Sequence, residues 1–283
     1  MNAKNLYQNE RFGEERALYA ADGVELKNCS FDGIEDGESA LKEAKNIKCD
    51  SVFFNLRYPL WHDENVSLEN CEMTELCRAA LWYSENINVH SSKLHGIKAL
   101  RECRNISIAD CDVKSVEFGW FSKNINIDKT DFCGEYFMLQ AKNINMTNSS
   151  LVGKYSFQYI ENSFFDNCNF DTKDAFWHAK NIVVKNSVVK GEYLAWYSEN
   201  ITFENCTIIG TQPLCYCKGL RLINCRMTDC DLSFERSEVE ATVLGSITSV
   251  KNAYSGFVYA EDIGEIIVDD ENARAEVKIL SLK

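Results

Sequence analysis

Four side chains raise the first chemical question. Glu75 and Arg78 lie three residues apart, and Arg101 and Glu102 are neighbours. Two carboxylates that flank a glycosidic bond can protonate the leaving oxygen and serve as base or nucleophile. Glu102 with Glu43 or Glu75 would supply such a pair once a fold brought them onto nearby turns. An arginine or lysine neutralises a carboxylate substrate, and Arg101 or Lys98 would do this for a uronate. A glycan-active hydrolase, lyase or epimerase is therefore one expectation, with Glu75, Arg78, Arg101 and Glu102 as its catalytic candidates. Each of the four, taken singly, is also what a solvated polar face carries.

The tryptophans raise the second question. All five, Trp61, Trp82, Trp120, Trp177 and Trp196, fall in one repeating position, with His62 and His178 in the next. Exposed indoles stack on sugar faces, so these seven residues are the candidates for a carbohydrate-like ligand. Trp, Tyr and Arg also mark protein interfaces, which makes a structural or protein-interaction module the alternative.

What positions them is a repeat. Asn recurs at 46, 65, 86, 105, 124, 143, 162, 181 and 200, every nineteen residues except for a step of twenty-one after Asn65. Counting each Asn as slot zero, slots one and three are apolar, as in Ile182 and Val184 or Ile201 and Phe203. Slot six is small (Cys71, Ser92, Cys111, Thr130, Ser149, Cys168, Ser187, Cys206, Cys225), and slot eight is apolar again. Apolar–polar alternation marks strands, and a third short strand is expected near slots thirteen to sixteen. A unit this short buries nothing alone, but stacking unit on unit at about 4.8 Å does.

The expected fold is thus all-β: a single-stranded right-handed parallel β-helix of roughly eleven coils, capped at both ends. Residues 1–22 read as the N-terminal cap, 23–237 as the coils and 238–283 as final coils or a cap, within one structural domain. The Asn column suits a turn, since Asn tolerates unusual backbone angles and can pass amide hydrogen bonds from coil to coil. The two extra residues after Asn65 fall within Thr74–Ala80, where Glu75 and Arg78 lie, and the unit after Gly23 is lengthened by Asp36-Gly37-Glu38-Ser39. Two orientations stand for the third strand. If slot fourteen points in, the Trp column at slot fifteen faces solvent; if slots thirteen and fifteen point in, Trp177 packs beside Ala175 in the core.

Composition narrows the partners. A net charge of −13 repels polyanions at long range, which disfavours nucleic acid and anionic membranes. No basic-then-apolar segment opens the sequence and no apolar run reaches the roughly twenty residues of a membrane helix, so a cytoplasmic location is expected. There the thirteen cysteines would be reduced and packed as small apolar groups. They form no CxxC pair, Cys215 and Cys217 are too close for the usual zinc spacing, and no metal or cofactor is expected. The expected partners are a carbohydrate ligand or a second copy of the chain.

The segments FGEERALY, DGESALKE, FNLRYPLWH, TELCRAALWY, LHGIKALRECRN, TKDAFWHAKN and GEYLAWYSEN run through nearly the whole chain. In them the chain resembles an uncharacterised bacterial family within the pectin-lyase-like superfamily of right-handed parallel β-helices. That resemblance implies the fold and no activity. The Asn-Thr-Asp and Arg-Ile-Lys groups of polygalacturonase-like enzymes are absent. Asp269-Asp270 lies in the tail, and the Arg-x-Pro-x-x-Arg segment of pectate lyases is missing. No catalytic residue is carried over from those enzymes.

Overall fold

Alternating slots become alternating faces. In the computed structural model, which describes residues 5–32 and 38–280, the strands that follow each Asn bury slots one and three and expose the residues between. The chain is a parallel β-solenoid of about 19 residues per turn, with no helix among the described residues. Its contacts group into two compact units, Met1–Asn145 and Met146–Lys283, each described by itself.

In the first unit, Asn5–Gln8 pairs in parallel with Val24–Lys27, which pairs with Lys45–Asp50, and the series continues through Glu64–Glu69, Glu85–His90, Arg104–Ala109 and Lys123–Asp128. A second column of two- to five-residue strands runs from Arg11–Phe12 to Asp131–Glu135. The segment expected as an N-terminal cap is therefore built as a turn from Asn5 onward. In the second unit, Lys180–Lys185 pairs with Glu161–Asp166 and Glu199–Glu204 in a register that sets Ile182 on Ile201 and Val184 on Phe203. Glu238–Lys251, Ser255–Ile267 and Glu276–Ile279 extend the same parallel pairing toward the C-terminus. Residues 1–4, Asp36-Gly37 of the long early unit, and 281–283 lie outside the described residues.

Inside each unit like stacks on like. Phe12, Phe31 and Phe54 form a parallel ring stack with centroids 4.9 and 5.1 Å apart. Phe157 stacks on Phe176 at 4.9 Å, with Phe165 edge-on to both. Full burial of one such ring stabilises by about 1.5–3 kcal/mol.

The corners follow from polar side chains. Each Asn of the repeating column takes a left-handed conformation, φ 53–60°, which Asn reaches more cheaply than branched residues. Asn65 Nδ2 donates to Asn46 Oδ1 at 2.9 Å, Asn86 to Asn65 at 2.9 Å, and Asn105 to Asn86 at 3.0 Å. A second left-handed column occupies slot five (Asn148, Asn167, Asn186, Asn205, Asn224), and Asn167 donates to Asn148 at 2.8 Å. The slot-six column is buried throughout. Its thiols and hydroxyls donate to the carbonyl two residues back, as Ser92 does to His90 at 2.7 Å, and its hydroxyls accept a backbone N–H from the preceding turn, as Ser187 does from Cys168 at 2.9 Å. Burial pushes the Cys71 and Cys168 thiols up to about 11, so they stay protonated and inert.

The third side corrects the strand expectation. Among the described residues only Leu81–Trp82 and Leu100–Arg101 are strands there. In residues 155–216 every second residue is left-handed: Asp174, Phe176 and His178 at φ 55–60°, and Tyr193, Ala195 and Tyr197 at φ 56–61°. Side chains on such a backbone do not alternate. Slots thirteen and fourteen both point in, as Ala175 and Phe176 do at 0% exposure, and slots fifteen and sixteen both face the surface. Each of the two orientations foreseen for this side is thus half realised.

Candidate functional site

Because slots fifteen and sixteen both face out, the third side carries two adjoining aromatic columns. Trp61, Trp82, Trp120, Trp177 and Trp196 are half-buried. Their ring faces are turned on one another: Trp61 stacks on Trp82 at 5.3 Å and 4°, and Trp177 on Trp196 at 5.6 Å and 5°. Each indole N–H reaches the backbone carbonyl at slot twelve of the following turn. Trp82 donates to Lys98 at 2.6 Å, Trp120 to Tyr136 at 2.5 Å, Trp177 to Tyr193 at 2.6 Å, Trp196 to Gln212 at 2.8 Å, and Trp61 to Ala79. Gln158, in the same slot, places its amide N–H on Asp174 O at 3.3 Å. Where the slot holds Trp or Gln, the side chain therefore serves as a donor to that carbonyl, a role that sequence spacing did not show. Slot sixteen repeats the stacking: His62 on Tyr83 at 4.9 Å, and Tyr159, His178, Tyr197 and Tyr216 in sequence at 4.7, 5.1 and 4.8 Å. Tyr159 and Tyr197 remain 46% and 44% exposed.

The four expected catalytic residues do not converge. Arg101 is a rung of the first unit's stack. Its guanidinium lies 5.1 Å from the Trp82 ring, 5.4 Å from Trp120 and 5.3 Å from Phe121, and its Nε is 3.5 Å from Glu102 Oε1. A cation held between two indoles is stabilised by the negative faces of both rings. Glu102 opens instead into a polar cleft of about 520 Å³ with Arg104, Phe121, Lys123, Gln140 and Lys142. Arg104 and Lys123 stand directly opposite each other in the strand register.

Glu75 and Arg78 lie elsewhere, in a groove of about 590 Å³. The two-residue insertion is pinned at both ends. Thr74 Oγ1 donates to Asn55 Oδ1 at 2.6 Å, while Cys77 N donates to Thr74 O at 3.0 Å and its thiol to Phe54 O at 3.0 Å. Between these anchors Glu75 and Leu76 project. The opposite wall comes from turns of ordinary length: His95, Lys114 and Cys133 at slot nine, and Ile97 and Val116 at slot eleven. The chain lies tight on the preceding turn here, since a Cβ on Gly96 would stand 2.1 Å from Cys77 O and one on Gly134 2.2 Å from Ser115 O. Nothing in the sequence marked this wall except the insertion facing it.

The family profile of DUF3737, described as a protein of unknown function, matches residues 5–280. No curated protein matches the sequence. Among solved structures, similarity extends to HetL, a pentapeptide repeat protein involved in heterocyst differentiation regulation from the cyanobacterium Nostoc sp. strain PCC 7120; it is 12% identical, over 82% of this chain and 87% of that one, at a TM-score of 0.21. Tailspike protein 3 of bacteriophage CBA120 is 8% identical over 99% of this chain and 56% of its own, at 0.31. The A-module of the mannuronan C-5 epimerase AlgE4 from Azotobacter vinelandii is 9% identical over 97% and 87%, at 0.26.

Proposed function

The chain belongs to the DUF3737 family of proteins of unknown function, and from that premise we propose that it is a β-solenoid interaction module whose aromatic face in residues 155–216 binds a protein surface, in the first instance a second copy of itself. The observation that carries this is the absence of charge on that face. Residues 155–159, 174–178, 193–197 and 212–216 contain a single carboxylate, Asp174, which is 5% exposed, in a chain of net charge −13. Protein interfaces are depleted of charge at their centre and enriched in Trp and Tyr.

The stacking supports the same reading. Sugars dock on ring faces, and here the indole and phenol faces lie against one another. The rings of this column carry Tyr hydroxyls and His nitrogens, groups that both donate and accept and so are self-complementary across a two-fold axis. Rings already held by neighbours lose little freedom on binding. Light scattering over a concentration series tests the reading: a dimer that Trp177→Ala or Trp196→Ala weakens supports it, and a monomer at every concentration overturns it.

A carbohydrate-like ligand keeps one place, carried by a different observation. The cleft at Glu102 sets Arg104 and Lys123 side by side with Gln140, a set that answers a carboxylate and hydroxyls together. Calorimetric titration with oligogalacturonate against a neutral glucan tests it; equal heats, or no heats, end that reading. Buried free thiols fit a reducing compartment, and we infer a cytoplasmic location.

A further inference from the structure

The insertion groove combines features that neither aromatic column has. Its base is apolar and open to solvent: Leu76 is 59% exposed, Ile97 42% and Val116 38%. Scattered exposed apolar residues need no explanation, but three converging in one concavity mark a binding surface. Basic side chains ring them, and most are already answered. Arg57 lies 2.7 Å from Glu38; His95 and Lys114 share Asp112 at 2.9 and 3.6 Å. Arg78 has no ion-pair or hydrogen-bond partner for its guanidinium among the described residues. Glu75, three residues away, is likewise unpaired and is the one carboxylate in the groove lining.

We propose that this groove binds a small amphipathic carboxylate, with the apolar body over Leu76, Ile97 and Val116 and the carboxylate on Arg78. Arg presents a planar donor fork that a carboxylate meets with two hydrogen bonds. The volume lies within the range of small-molecule sites. Lys114, 3.6 Å from Asp112, stands on the opposite wall as a second ammonium donor. Glu75 opposes the ligand's charge and sets its affinity from the rim. The site is independent of the aromatic face in residues 155–216.

Cys133 provides the readout. Twelve of the thirteen cysteines are buried, and Cys133, exposed, lines this groove. Octanoate and octanol serve as probes, and the alkylation rate of the native chain by N-ethylmaleimide is followed by mass spectrometry, with Cys133→Ser confirming the labelled site. Octanoate should slow labelling in a saturable way. Arg78→Gln should weaken that protection about tenfold or more, the loss expected when a charged hydrogen bond is removed. Glu75→Gln should strengthen it, and octanol should protect far less. Equal protection by octanol, protection unchanged in Arg78→Gln, or none at all would each overturn the proposal. Unchanged labelling of Arg78→Gln without ligand shows that the variant keeps the groove.

Discussion

The same slots carry different chemistry in the two units. In residues 39–140 the outward third side holds Lys42, Glu43, Lys98, Arg101, Glu102 and Glu117 among its aromatics. These charges are largely satisfied within the unit: Lys98 meets Glu117 at 3.1 Å, Lys42 lies 5.5 Å from the Trp61 ring, and Tyr19 donates to Glu43 at 2.7 Å. In residues 155–216 slots twelve and sixteen take the same left-handed conformation as in residues 39–140, with slot fourteen now left-handed in every turn, yet the surface is nearly free of charge. In both regions slots thirteen and fourteen are buried and fifteen and sixteen face out, so the direction of the side chains does not dictate what the face is for. A solvated face can hold its charges by local pairing, whereas a face meant to lose its water is better without them, since each buried charge costs more than its partner returns.

Substitutions at four positions probe that contrast, the largest effect first. Phe176→Ala empties a fully buried position between Phe157 and Phe203 and should cost about 3–5 kcal/mol in urea denaturation. A loss below about 1 kcal/mol would mean that the inner column beneath the aromatic face does not support it. Asp63 comes next. It is 2% exposed where the following turns have Ser84, Cys103 and Ser122, its Oδ1 accepts from Ala44 N at 3.0 Å, and its Oδ2 has no partner. Burial raises its pKa to about 8. A raised acid stabilises the fold fully below the unfolded value near 4, and that contribution is lost as pH climbs through about 8. Asp63→Asn should flatten this decline and raise the melting temperature at pH 9 relative to wild type; an unchanged slope would show that Asp63 titrates normally. Arg101→Ala removes the cation between Trp82 and Trp120 and should cost about 1–2 kcal/mol. No loss would return Arg101 to the catalytic candidates. Gln158→Ala removes one hydrogen bond to Asp174 O and should cost about 0.5–1.5 kcal/mol, while Gln158→Trp should recover it by placing an indole N–H there.

How much of this could be read in the sequence differs by side of the turn. Slots one, three, six and eight were legible because a strand imposes a period of two and stacking repeats it every nineteen residues. Asn148, Asn167, Asn186 and Asn205 recur on the same spacing and form a second column that was not expected, although its residue type carried the same signal. The third side was not legible, because its left-handed positions are filled by Phe176, Tyr193 and Leu214 rather than by Gly or Asn, so no residue type announces the conformation. The alternation rule assumes a strand and fails there. The insertion at Thr74–Ala80 did mark a concavity, but His95, Lys114 and Cys133 came from turns of normal length. The separation of Glu75 and Arg78 from Glu102 depends on which corner of a turn each occupies, which counting along the chain does not give.

The most direct test of the contrast is sedimentation velocity from about 1 to 100 μM for the wild type and for two matched variants, Tyr197→Glu in the charge-free face and Tyr83→Glu in the charged one. The expected result is a wild-type dimer that Tyr197→Glu converts to monomer and Tyr83→Glu leaves intact. A wild type that stays monomeric throughout, or a dimer lost equally in both variants, would contradict it.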